Sequence, residues 1–181
     1  MRIISGKYKG KRLVAPKKLP VRPTTDMAKE ALFNILNNRF YFDELKVLDL
    51  FSGTGNISFE FASRGTEKIT AVDAHQGCVR YISKTAQALD FTIKTVKSDV
   101  FTFLKNTPEK FDLVFADPPY DFETRQFLNI ANLVFENTLL LEDGLLIIEH
   151  SDQTNLSEHP QFSEQRKYGG SIFSFFELEE K

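Results

Sequence analysis

The sequence predicts an α/β domain: a mostly parallel sheet of seven strands, with an antiparallel hairpin at its C-terminal edge and a small β-hairpin extension at its N-terminus. Three observations carry this. From Lys46 onward, strand-like apolar runs alternate with helical patterns, which implies a parallel sheet covered by helices on both faces. Near the C-terminus, Gly169-Gly170 separates two β-rich runs, "FSEQRKY" and "SIFSFFELE", as an antiparallel hairpin requires. At the other end, "RIISGKYKGKRLVAP" has two short apolar runs around Gly6 and Gly10.

In chain order, residues 1–23 form the extension, because Pro16, Pro20 and Pro23 interrupt any regular element after the hairpin. Residues 24–181 form the main domain. Its first helix runs from about Asp26 to Asn37: Thr24 or Thr25 can cap it, and Ala28, Leu32, Ile35 and Leu36 recur at helical spacing. The strands follow as "KVLDLF", "KITAVDA", "FTIKTVKSD", "FDLVFAD" and "GLLIIEH". Between them lie the helical stretches "NISFEFASRG", "CVRYISKTAQAL", "VFTFLKN" and "TRQFLNIANLVFEN".

With 181 residues, 41% hydrophobic and 27% charged, the chain has the size and composition of one well-cored globular domain, expected to be monomeric. No apolar run approaches the roughly 18 residues of a membrane helix, and "MRIISGKYKG" lacks the apolar core of a signal peptide. A cytoplasmic location is expected. The lone Cys78 reads as a small hydrophobe, and His75, His150 and His159 show no zinc spacing, so no metal is expected.

Charge is unevenly spread. Residues 1–22 carry eight basic side chains and no acidic one, so this segment is +8 while the remainder of a chain of net charge -2 is -10. Apolar residues interleave the cations, which favours an ordered hairpin that grips a polyanion over a solvated tail. Arg2, Lys7, Lys9, Lys11, Arg12, Arg22 and Thr24 are the candidate nucleic-acid contacts. As an appended segment it is expected to leave the affinity of any small-molecule site unchanged.

Chemistry concentrates at strand ends. "VLDLFSGTGNIS" ends a strand at Asp49-Leu50-Phe51, turns through Gly53 and Gly55, and opens a helix near Asn56. Glycines let backbone approach a ligand, and carboxyl ends of parallel strands are where open α/β sheets bind one. A dinucleotide fingerprint needs a third glycine where Ser58 stands, and no G-K-[ST] follows for a phosphate loop. Asp73 closes the next strand, beside Ala74, where a carboxylate can accept both hydroxyls of a ribose. Asp99 follows the third strand, placed to take an exocyclic amine while Val100 or Phe101 packs on an adenine ring. Each acid alone is also a plausible helix cap. The fourth strand ends in "ADPPY": Asp117 and the Pro118 carbonyl can accept from an amine, Pro119 stiffens the turn, and Tyr120 offers a face for an extruded base.

"D-x-F-x-G-x-G" followed by Asp73, Asp99 and "DPPY" resembles the S-adenosylmethionine-dependent methyltransferases that modify exocyclic amines of nucleic-acid bases. The chain is more similar still to the bacterial 16S rRNA guanine-N2 methyltransferases, through "RIISGKYKG", "RPTTDMAKEALFNIL", "VLDLFSGTG", "ASRG" and "ADPPY" in order. It departs from them at Met27, where a basic residue is common, and at Asp73, where Glu is usual. The resemblance implies a Rossmann-like class I methyltransferase fold, with S-adenosylmethionine as cofactor and 16S rRNA, in a small-ribosomal-subunit particle, as partner. It also implies that Asp49, Phe51, Gly53, Gly55, Asn56, Asp73, Ala74, Asp99 and Val100 hold the cofactor. Asp117, Pro118, Pro119 and Tyr120 would hold the guanine. Two alternatives stay open: adenine-N6 methylation by a similar loop, and a non-catalytic RNA-binding protein with a vestigial nucleotide pocket.

Overall fold

The computed structural model describes residues 1–179; the last two residues of the segment 24–181 lie outside the described residues. Among the described residues, five helices and seven strands alternate: α1 (Asp26–Asn37), β1 (Lys46–Leu50), α2 (Asn56–Ser63), β2 (Lys68–Asp73), α3 (Gln76–Ala88), β3 (Ile93–Lys97), α4 (Val100–Asn106), β4 (Phe111–Ala116), α5 (Thr124–Glu136), β5 (Leu140–His150), β6 (Phe162–Tyr168) and β7 (Ser171–Glu177). They form one sheet in the order β3-β2-β1-β4-β5-β7-β6. Strand order reverses between β1 and β4, which creates the crevice where open α/β sheets take ligands.

The central strands are apolar on both faces because both are covered. Leu48, Leu50, Val114 and Ala116 point toward α4 and α5, whereas Val47, Leu113 and Phe115 point toward α1 and α2. The C-terminal hairpin forms as expected at Gly169-Gly170. It enters the sheet by its second strand: β7 pairs antiparallel with both β5 and β6, so β6 is the edge.

The N-terminal hairpin closes on an antiparallel bridge, Arg2 to Arg12, supported by backbone bonds from Ile3 N–H to the Lys11 carbonyl and from Leu13 N–H to the Met1 carbonyl. Its apolar side chains are part of the domain's interior: Ile3 and Leu13 are buried against Phe59, Ile82 and Leu89. A buried ion pair fastens it. Lys29 of α1 lies 3.3 Å from Glu60 of α2, with side chains 1% and 0% exposed. Glu60 also accepts the Ile4 and Ser5 amides and the Arg64 guanidinium, and the Lys29 ammonium donates to the Arg2 carbonyl. Hence α2 is buried on every side, polar residues included, with each buried charge compensated.

Candidate active site

The carboxyl ends of β1, β2 and β4 and the turn after β3 open into one cavity of about 530 Å³. Its floor is the loop after β1. There Phe51 and Gly53 both take left-handed backbone, φ 53° and 54°, a conformation uncommon for a bulky residue and frequent at ligand sites. Asp73 fixes the loop: its Oδ2 accepts the Gly53 amide at 2.9 Å and its Oδ1 the His75 amide at 2.8 Å. Each oxygen retains a further lone pair toward the cavity. Asp99 caps α4 by accepting the Thr102 amide and hydroxyl on Oδ2. Capping and cavity-lining therefore coincide in one side chain.

Asp49 is buried and accepts the Ser58 amide and hydroxyl, at 3.2 and 2.6 Å. Burial pushes its pKa up to about 7 against these two donors, which pull it down. Ser58, standing where a dinucleotide fold has its third glycine, is thus the partner of this acid. The hydroxyl of Ser52 is buried in the same loop with no hydrogen-bond partner among the described residues, a polar atom on the cavity wall that a ligand can satisfy.

Phe51, Gly53, Asn56, Asp73, Ala74, Asp99 and Val100 all reach the wall, with Asp49 beneath them. Gly55 does not. A Cβ there would lie 2.8 Å from the Phe59 ring and 3.0 Å from Ile82, so this glycine serves helix packing and the turn, at φ 84°. Asn56 lines the cavity with its amide committed at both ends, to the Lys29 ammonium and the Thr24 carbonyl.

At the far end β4 delivers Asp117. Its carboxyl makes no hydrogen bond within the protein among the described residues, and burial first, then Glu149 and Asp49, raise its pKa well above the usual carboxylate range. Pro118 is buried, while Pro119 and Tyr120 are exposed. An aromatic group backs this end: the Phe51 and Phe101 rings pack on Phe122, at 5.6 and 6.0 Å between centroids.

The segment after the hairpin corrects one expectation. Pro20 to Thr24 crosses the cavity as a strap and supplies part of its wall. Val21 Cγ1 lies 3.2 Å from where a Gly53 Cβ would stand, and Leu19 covers Gly77 in the same way. The basic extension is therefore continuous with the wall of this cavity. Thr24 is likewise not a surface contact: it is buried, and its hydroxyl donates to Glu149 at 2.6 Å. Lys7, Lys9, Lys11 and Arg12 stay exposed, Arg2 pairs with Asp26 at 3.1 Å, and Arg22 lies over the Tyr120 ring. Sequence reasoning passed over the strap, Ser52 and Glu149. For Glu149 a signal existed, since "IIEH" also ends a parallel strand in an acid.

The model of the family described as Conserved hypothetical protein 95 matches residues 1–177. The chain belongs to this family. As a member of the Conserved hypothetical protein 95 family it is 33% identical over 163 residues to a Bacillus subtilis relative, covering 87% of this chain and 86% of the other. It is 32% identical over 155 residues to the ribosomal RNA small subunit methyltransferase D of Haemophilus influenzae, covering 82% and 78%. A solved Escherichia coli chain shares the fold over 100% of this chain and 99% of its own, with TM-score 0.86 and 24% identity.

Proposed function

We propose that the protein transfers a methyl group from S-adenosylmethionine to the exocyclic N2 amine of a guanine in 16S rRNA. One observation carries this: Asp117, a carboxyl with no hydrogen-bond partner among the described residues, stands where the cavity meets the exposed Tyr120 ring, between a proline carbonyl and a second acid. Such a group has no structural task and suits an incoming amine. Methyltransferase names among the family relatives support the reaction class, and a small-subunit name supports the RNA.

The cavity suits the cofactor. Asp73 can accept from ribose hydroxyls, the free Oδ1 of Asp99 from an adenine amine, and Ser52 and the loop of Phe51 and Gly53 face the amino-acid end. When bound, S-adenosylmethionine supplies a sulfonium-activated methyl group. The protein's own task is then to aim a poor nucleophile, whose lone pair is delocalised into the ring. Asp117 and the Pro118 carbonyl accept the two amine hydrogens and turn the nitrogen lone pair toward the cavity. Positioning of this kind supplies roughly 7–11 kcal/mol. Tyr120 stacks on the extruded base, and the exposed Lys7, Lys9, Lys11 and Arg12 hold phosphates of rRNA in a small-subunit particle in the cytoplasm.

Nucleoside mass spectrometry of 16S rRNA from a strain lacking the gene, with and without the gene restored, tests this. Loss of one N2-methylguanosine supports it. Loss of N6-methyladenosine instead moves the activity to adenine, and an unchanged profile favours a binding protein.

A further inference from the structure

Two clefts meet at the "DPPY" loop. The larger is the cavity described above; the smaller, beyond the loop, is lined by Glu149, His150, Ser151 and Thr154, and the two share Asp117, Pro118 and Tyr120. An amine held at Asp117 therefore stands at the boundary, and the smaller cleft, about 10 Å³, has to widen to take the edge of the ring that bears it. β4 and β5 are parallel neighbours with Ala116 opposite Ile148, so Asp117 and Glu149 leave adjacent strand ends side by side. Both continue the row that faces α1 and α2.

Glu149 is built to accept. Two hydroxyls are aimed at it, Thr24 Oγ1 on Oε2 at 2.6 Å and Ser171 Oγ on Oε1 at 2.7 Å. Each oxygen keeps a lone pair for a further donor. The adjacent His150 cannot compete for the base: its Nδ1–H donates to the Ser151 carbonyl and its Nε2 accepts the Ser174 hydroxyl.

We propose that Glu149 is a specificity-determining residue: it accepts the N1–H of the target base while Asp117 accepts the neighbouring amine, and so selects guanine over adenine. The proposal rests on the guanine-N2 reading of the site. The Watson–Crick edge of guanine presents two donors in a row, N2–H and N1–H, which match two carboxyls in a row. Adenine presents its amine beside a bare N1 lone pair, which would face the Glu149 carboxylate with no proton between them. A site built to bind a donor rejects the analogue that lacks it far more strongly than an apolar pocket rejects a size change.

The test uses 2-aminopurine, which keeps the exocyclic amine, replaces N1–H by a lone pair and carries hydrogen in place of O6, so that the comparison of wild type with a Glu149 variant isolates the N1 contact. Small subunits are assembled from 16S rRNA carrying guanosine or 2-aminopurine riboside at the position that wild-type protein methylates, and kcat/KM is measured for wild type and Glu149→Gln. Wild type is expected to prefer guanosine by about 100-fold or more. Glu149→Gln, which retains side-chain size, an acceptor for one hydroxyl, and an amide donor for a bare N1, is expected to narrow that ratio by about 10-fold or more. Its cofactor affinity by calorimetry stays that of wild type, which shows the fold intact. An unchanged ratio in Glu149→Gln, even with lower activity on both substrates, overturns the proposal, as does a wild type indifferent to the substitution. Absence of any guanine-N2 label overturns the reading of the site itself, and this inference with it.

Discussion

The Arg22 guanidinium lies 5.2 Å from the centre of the Tyr120 ring. Tyr120 is 61% exposed, and this cation reaches it from the strap that also walls the cavity. At this separation no base fits between the two, so a base that stacks on this ring either takes its other face or displaces Arg22. Tyr120→Ala is expected to weaken capture of the target base by about 1–3 kcal/mol, the worth of one base–aromatic stack. Tyr120→Phe should retain most of it. Single-turnover rates against substrate concentration measure both, and equal capture by Tyr120→Ala would remove the ring from the site.

The basic hairpin and the strap separate by experiment. Replacing Lys7, Lys9, Lys11 and Arg12 by Gln should weaken RNA binding and flatten its salt dependence, by roughly 0.7–0.9 in the log–log slope for each phosphate no longer neutralised. Cofactor affinity should hold. Deleting residues 1–20 should lower both affinities, because Leu19 and Pro20 go with it and Val21 loses its anchor over Gly53. Calorimetry with S-adenosylmethionine decides between a coupled strap and an independent tail.

Lys29 and Glu60 supply a stability test. Both are buried, and burial lowers the Lys29 pKa against the opposing pull of Glu60. Lys29→Met leaves Glu60 buried with the Arg64 guanidinium as its remaining cation, and should cost about 3 kcal/mol, the low end for a broken buried pair. Urea unfolding measures it. A loss below about 1 kcal/mol, the scale of an exposed ion pair, would mean that the pair is not what fastens the hairpin.

Asp49 makes stability depend on pH. Its pKa rises from 3.8 to about 7 on folding, through burial, so the folded chain holds a proton that the unfolded chain has released. The stabilisation is complete below pH 3.8 and is lost as pH rises toward 7, at up to about 1.4 kcal/mol per unit. Asp117 and Glu149, also raised, act in the same direction. Unfolding midpoints of wild type should fall between about pH 5 and 7.5, and Asp49→Asn should flatten the fall. Parallel profiles for the two proteins would contradict this.

Much of this was legible in the sequence. Strand–helix alternation located β1 to β5, the glycine pair located the hairpin of β6 and β7, and acids at strand ends located Asp49, Asp73, Asp99 and Asp117. What stayed hidden depends on packing between residues far apart in the chain. Pro16, Pro20 and Pro23 signal irregular backbone, but not that this backbone lies over Gly53. Nothing in the spacing of α1 marks Lys29 as buried; only the fold brings Glu60 beside it. Gly55 shows why a glycine turn is ambiguous: a ligand and a Phe59 ring make the same demand on backbone. Thr24 is one residue from the helix cap at Thr25, and only packing decides that its hydroxyl turns inward to Glu149.

The central claim is that Asp117 orients the amine of a guanine. Single-turnover transfer of a radiolabelled methyl group to small ribosomal subunits, by wild type and Asp117→Ala, tests it most directly when cofactor affinity is measured on the same proteins. The variant is expected to bind S-adenosylmethionine like wild type and to transfer at least about 100-fold more slowly, the usual loss when one preorganised polar group is removed. Label should appear on guanine N2. Wild-type rates in Asp117→Ala, or label on adenine N6, would contradict the account.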